Sequence, residues 1–120
     1  MAPLTDPERL LAYKNALSNW KFGGYVEFDL SEQSHDWIRS ELRNIPLRDL
    51  AELMHQHAET GGVIDEVRET RPEWSGEYEY HYDLRLSVQG TQVYVETRLD
   101  FVPPFVPDDP SIQVVNIHAP

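Results

Sequence analysis

The stretch Tyr78-Glu79-Tyr80-His81-Tyr82-Asp83-Leu84-Arg85-Leu86-Ser87-Val88-Gln89-Gly90-Thr91-Gln92-Val93-Tyr94-Val95-Glu96-Thr97-Arg98-Leu99-Asp100-Phe101 decides the fold. Tyr78, Tyr80, Tyr82, Leu84 and Leu86 alternate with Glu79, His81, Asp83, Arg85 and Ser87. After Gly90, Val93, Val95, Thr97, Leu99 and Phe101 alternate with Tyr94, Glu96, Arg98 and Asp100. Side chains of an extended chain point to opposite faces in turn, so each half reads as a strand with one buried face. Gln89-Gly90 supplies a two-residue turn, which sets Val88 opposite Thr91, Leu86 opposite Val93, Leu84 opposite Val95 and Tyr80 opposite Leu99. Every apolar pair falls on one face. The other face carries Arg85 opposite Tyr94, Asp83 opposite Glu96, His81 opposite Arg98 and Glu79 opposite Asp100, and a slip of one residue would bury those charges. On this reading, truncating Leu84 or Val95 destabilises the fold by ~1–4 kcal/mol, whereas Arg98→Ala, on the outer face, costs far less.

Upstream of the hairpin the chain reads as helix, strand, helix, helix, strand. Thr5-Asp6-Pro7-Glu8 starts a helix with a capping side chain, a proline in the first turn and an acid near the positive end of the dipole. It runs to about Trp20 with Leu10, Tyr13, Leu17 and Trp20 as its stripe, and Phe22-Gly23-Gly24 breaks it. Residues 25–30 alternate as a short strand. Ser31 caps a second helix to about Arg43, with Ser34, Trp37, Ile38, Glu41 and Leu42 on one side. After Pro46 a third helix places Leu47, Leu50, Leu53, Met54 and His57 inward and stops at Gly61-Gly62. Residues 63–70 read as a strand, and Arg71-Pro72-Glu73-Trp74-Ser75-Gly76 as a loop carrying an aromatic.

Downstream, prolines 103, 104, 107 and 110 cannot donate to a ladder, so 102–110 reads as a stiff connection. Ser111 to His118 is the last strand, and its nearly continuous Ile112, Val114, Val115 and Ile117 predict a central position. The whole is a single α+β domain over 1–120: an N-terminal helical segment to residue 24, then a β-α-α-β-β-β-β core over 25–118. Its architecture is three helices packed on a mostly antiparallel sheet of about five strands.

Composition narrows the function. Forty per cent hydrophobic residues in 120 suffice for one core. There is no cysteine, which removes disulfides, thiolate metal sites and thiol nucleophiles. The start Met1-Ala2-Pro3-Leu4-Thr5-Asp6 has no basic segment leading into an apolar run, and no stretch approaches a membrane span. A cytoplasmic protein without a membrane partner is the expectation. Twenty-one acids against ten bases give a formal charge of −11, and Lys14 and Lys21 are the only lysines. Generic nucleic-acid binding draws its affinity from cations that displace phosphate counterions, so this balance disfavours it.

The outer face of the hairpin is where acid–base chemistry could assemble. His81, Arg85, Glu96 and Arg98, joined by His118 from the last strand, offer a proton acceptor, a proton donor and a cation for a developing phosphate charge. Asp83, Tyr94 and Trp74 complete the set as binding residues. The same residues also read as cross-strand ion pairs of an ordinary sheet surface. Asp83 opposite Glu96 is costly unless a cation or proton lies between them, and Arg85 and Arg98 are the diagonal neighbours that could supply one. His55 and His57, two apart on a helix, point about 200° apart and do not form a metal pair; His57 is expected half-buried and His55 exposed. No cofactor motif and no metal site is read.

The order of a strand, two helices and four antiparallel strands over about 25–118 resembles the fold group of barnase, colicin-type nucleases and RelE/ParE-like toxins. That resemblance implies metal-independent RNA cleavage through the 2′-hydroxyl, as one component of a toxin–antitoxin system, with RNA as partner. Glu96, Arg85 or Arg98, and His81 or His118 are the positions that match its glutamate, arginine and histidine. The acidity points elsewhere, to an immunity- or antitoxin-like module without catalysis that holds a basic protein partner through Glu73, Trp74, Glu77 and Tyr78.

Overall fold

Gln89 and Gly90 both adopt left-handed backbone angles, φ 52° and 83°, the pair of positive φ values that matches a hairpin turn to the twist of its strands. From this turn run β4 (Tyr80–Val88) and β5 (Thr91–Asp100). Their register pairs Val88 with Thr91, Leu86 with Val93, Arg85 with Tyr94, Leu84 with Val95 and Asp83 with Glu96, as the alternation requires. The ladder extends to Tyr82 opposite Thr97; the expected pairs of Tyr80, His81 and Glu79 lie beyond it. The computed structural model describes residues 2–100 and 110–120. Phe101 and nearly all of the proline-rich connection lie outside the described residues.

The remaining elements are β1 (Ala2–Pro3), α1 (Pro7–Ser18), β2 (Val26–Phe28), α2 (Glu32–Glu41), α3 (Leu47–Glu59), β3 (Ile64–Arg68), α4 (Pro72–Ser75) and β6 (Ser111–His118). They form one mixed sheet in the order β1-β3-β4-β5-β6-β2, antiparallel except where β2 runs parallel to β6. The α+β class stands, with two corrections of count. A sixth strand appears because Ala2 and Pro3 pair with Glu66 and Asp65; two residues are too few for a periodic signal, and Pro3 sits on an edge strand, where a missing donor is tolerated. A fourth helix, one turn long, forms within 71–76, where Pro72 occupies the first turn and Arg71 precedes it in extended conformation.

Each long helix begins or packs as its sequence dictates. Asp6 caps α1 by accepting from the Arg9 amide at 2.9 Å. Tyr13 and Leu17 are fully buried, joined by Ala12 and Ala16, while Leu10 and Trp20 are only half-buried. Ser31 caps α2 by accepting from the Ser34 amide. The buried Ser34 hydroxyl in turn accepts from the Ile117 amide at 3.1 Å, tying α2 to β6. On α3, Leu50 and Met54 are fully buried, and Gly61 takes φ 82° just past the helix end, a conformation that glycine reaches without strain. His57 is half-buried against the Val63 carbonyl. His55, expected to be exposed, is also half-buried, and its Nδ1 has no hydrogen-bond partner among the described residues.

The core lies between these helices and one face of the sheet, where Leu84, Leu86, Val93, Val95, Ile112, Val114 and Ile117 meet α1, α2 and α3. One hydrogen-bonded chain crosses it: Tyr13 Oη lies 2.7 Å from Thr97 Oγ1, which donates to the Tyr82 carbonyl at 2.6 Å. The adjacent valines of β6 have a local cause. The β5–β6 register slips between Glu96 and Thr97, with Glu96 opposite Asn116 and Thr97 opposite Val114. Val115 is therefore an extra residue in a bulge. The strand is interior, between β5 and β2, rather than central. Among the described residues no helix is long and apolar enough to cross a membrane.

Candidate functional site

The sheet face turned away from α1, α2 and α3 is built from alternate residues of β3, β4 and β5. The antiparallel registers align Asp65 with Asp83 and Asp83 with Glu96, so three carboxylates form one row across three strands. All three are buried, Asp83 completely. Like charges directly opposite destabilise a sheet unless each is answered. Each is answered separately here.

Asp65 takes Arg85 Nη1 at 3.2 Å. Asp83 has the His81 ring Nδ1 2.8 Å from one oxygen and accepts from the Tyr94 hydroxyl with the other. Burial raises the Tyr94 phenol above its ordinary value, and its bond to Asp83 adds to the shift. His118 stacks on the Tyr94 ring, centroids 4.9 Å apart.

Glu96 belongs to a four-charge cluster. Arg98 Nη1 donates to Glu96 Oε2 at 2.8 Å, and its Nη2 stands 2.8 Å from Glu69 Oε2 as an ion-pair contact. Arg71 binds Glu69 through its amide at 3.0 Å and its side chain at 2.9 and 3.1 Å, and reaches Glu96 as well. The Trp74 ring covers the guanidinium of Arg98, centroid to Cζ 4.9 Å. Arg98 is 0% exposed. Burial alone would push the Glu69 carboxyl up. The hydrogen bonds from Arg71, with the charges of Arg98 and Arg71, outweigh it and bring the pKa down to about 2. Glu96 is depressed for the same reasons, burial opposing and Arg71 and Arg98 prevailing.

All eight residues singled out from the sequence thus lie on or against this face. His81, Asp83, Arg85, Tyr94, Glu96 and Arg98 come from the hairpin, His118 closes β6 beside Tyr94, and Trp74 lies over Arg98. Their environments differ from the expectation in three ways. Arg98 and Glu96, expected at the solvent, are sealed beneath the segment 69–78. Arg85, expected to serve Asp83 or Glu96, is on Asp65. Asp83 is answered by an imidazole and a phenol rather than a guanidinium.

Three members were missed, Asp65, Glu69 and Arg71. Glu69 shares the parity of Asp65 along the chain, a signal that it faces outward with the row. Nothing local indicates that Arg71-Pro72 folds back over the sheet.

Chemically, the cluster of Glu69, Arg71, Glu96 and Arg98 is formally neutral and closed. A carboxylate held near pKa 2 is a weak base, and a guanidinium with two carboxylate partners and an indole lid presents little to an incoming phosphate. The open part of the face is Arg85 and His118, both exposed, with Tyr94 half-buried between them and the ring of His81, its side chain 12% exposed, beside Asp83. No comparison, with family models, curated proteins or solved structures, finds a match for the chain. Among the described residues no group of three His, Asp or Glu side chains is placed to hold a metal ion.

Beside the closed cluster, Trp74 and Tyr78 pack at 6.1 Å, and Tyr78 donates to Asp100 at 2.8 Å. Glu73 and Glu77 flank them, both exposed.

Proposed function

We propose that this domain is an acidic protein-binding module that engages a basic partner through the segment around Glu73, Trp74, Glu77 and Tyr78. One observation carries the reading. Arg71, Arg85 and Arg98, the arginines on the candidate face, each pair with a carboxylate of the same face, while Glu73 and Glu77 stand exposed beside two half-buried aromatics. An acidic rim around aromatic anchors favours a basic surface and speeds its approach, and the net charge of −11 acts in the same direction. Such a module needs no catalytic group.

A second reading, metal-independent RNA cleavage of the RelE/barnase kind, is favoured by the geometry of His81. Its Nδ1 is held at 2.8 Å by the fully buried Asp83, an arrangement that orients an imidazole for proton transfer. One experiment separates the two. Purified protein incubated with mixed-sequence RNA in EDTA at low salt is expected to leave the RNA intact. Association with a basic protein such as lysozyme, followed by calorimetry, is expected to weaken by at least about tenfold in Glu73→Lys/Glu77→Lys. RNA cleavage that disappears in a folded His81→Ala variant would replace the first reading by the second.

A further inference from the structure

A cavity of about 230 Å³ opens where the segment before β4 meets the start of α1. Tyr78, Tyr80 and Tyr82 line it together with Glu77 and Asp100. The volume lies below the ~300 Å³ at which small-molecule and cofactor sites begin, and suits a single amino-acid side chain.

The charges around it do not cancel. Arg9, also lining the cavity, binds Glu66 at 2.9 and 3.1 Å. Glu79 is paired with Arg68 at 3.2 Å. Glu77 and Asp100 have no cation among the described residues, and the hydrogen bond from Tyr78 to Asp100 adds no positive charge. One of the lining rings, Tyr80, already attracts guanidinium groups of the chain itself. Arg9 Cζ lies 5.3 Å and Arg68 Cζ 5.8 Å from the centre of Tyr80, both within the range over which a ring attracts a cation.

We propose that this cavity is the anchor pocket for one arginine side chain of the basic partner. This rests on the binding-module reading and deepens it. The guanidinium lies against the tyrosines and pairs with Asp100 and Glu77, and its flat fork suits both contacts better than the compact ammonium of lysine. Glu73 and Trp74, on the same segment, meet the surface around that side chain.

The test is calorimetric titration with two blocked peptides of equal charge, tetra-arginine and tetra-lysine. The arginine peptide is expected to bind at least about fivefold more tightly, and Glu77→Gln/Asp100→Asn to weaken it at least about tenfold. The remote double variant Glu52→Gln/Glu59→Gln, with the same change of charge, is expected to alter binding less than about twofold. Glu77→Gln alone, at an exposed position, keeps the test open if the double variant does not fold. Equal affinity for the two peptides, or equal losses in the near and remote variants, overturns the pocket. A basic protein that still binds, and is lost in Glu73→Lys/Glu77→Lys but not in Asp100→Asn, overturns the pocket and leaves the module standing. Absence of any basic ligand overturns both.

Discussion

Replacing Arg98 by alanine is expected to destabilise the fold by about 3–5 kcal/mol, the cost of leaving buried charges without their partner. The side chain is 0% exposed and lies between Glu69 and Glu96, which are 5% and 7% exposed. Removing it leaves Arg71 alone to serve two carboxylates, and its position at the edge of the cluster, 37% exposed, cannot restore the field that Arg98 supplies from below. The loss equals or exceeds the ~1–4 kcal/mol expected from Val95→Ala in the same strand, which reverses the ranking that alternation alone implies. Urea denaturation of the two variants, read by tryptophan fluorescence, decides the order. A loss of ~0.5 kcal/mol or less for Arg98→Ala, the scale of an ordinary surface change, would place the guanidinium at the solvent. The double variant Arg98→Met/Glu96→Leu separates the charge from its packing. It removes one cation with one anion and leaves Glu69 held by Arg71, so it is expected to recover much of the loss, since apolar replacement of a whole buried pair is often neutral.

That reversal marks the boundary of what the sequence makes legible. The register of β4 on β5 follows from a period of two and a two-residue turn, both local, and the observed pairs are those the pattern requires. The caps at Asp6 and Ser31 are equally local. Alternation also says correctly that Glu96 and Arg98 do not face α1, α2 and α3. It says nothing about what else covers them. Their burial comes from residues 69–78 folding back over the sheet, and that depends on the register of β3 against β4, Asp65 opposite Asp83, between strands joined by no tight turn. The exchange of partners has the same origin. Once β3 lies beside β4, Asp65 is nearer to Arg85 than the sequence separation of 20 suggests. The pair Val114-Val115 reads as a strand covered on both sides, and both valines are indeed buried; what the pattern does not show is that the second is the extra residue of a bulge.

Lowering the pH probes the same cluster from its acidic side. Glu69 has its pKa brought down to about 2 from an ordinary 4.5, and Glu96 is shifted in the same direction. A carboxyl whose folded pKa lies below its unfolded one binds its proton more readily in the unfolded chain. Its contribution to stability is complete above about pH 4.5 and is lost as the pH falls through the folded value. For Glu69 alone that contribution is on the order of 2–3 kcal/mol, because its side chain is 1% exposed and solvent screens it little. Stability measured in urea at successive pH values is therefore expected to be nearly level from neutrality to about pH 5 as far as this cluster is concerned, then to fall steadily to about pH 2. Glu69→Gln starts from a lower stability, since it leaves Arg71 and Arg98 with one carboxylate, but should show a distinctly shallower fall over the same interval. Trp74 adds a local report, because its ring rests on Arg98 and should lose that contact as the carboxylates are protonated. Parallel slopes in the wild type and Glu69→Gln would mean that the acid sensitivity resides in other carboxylates, with Glu69 titrating near its ordinary value and the arginines held by packing rather than by charge.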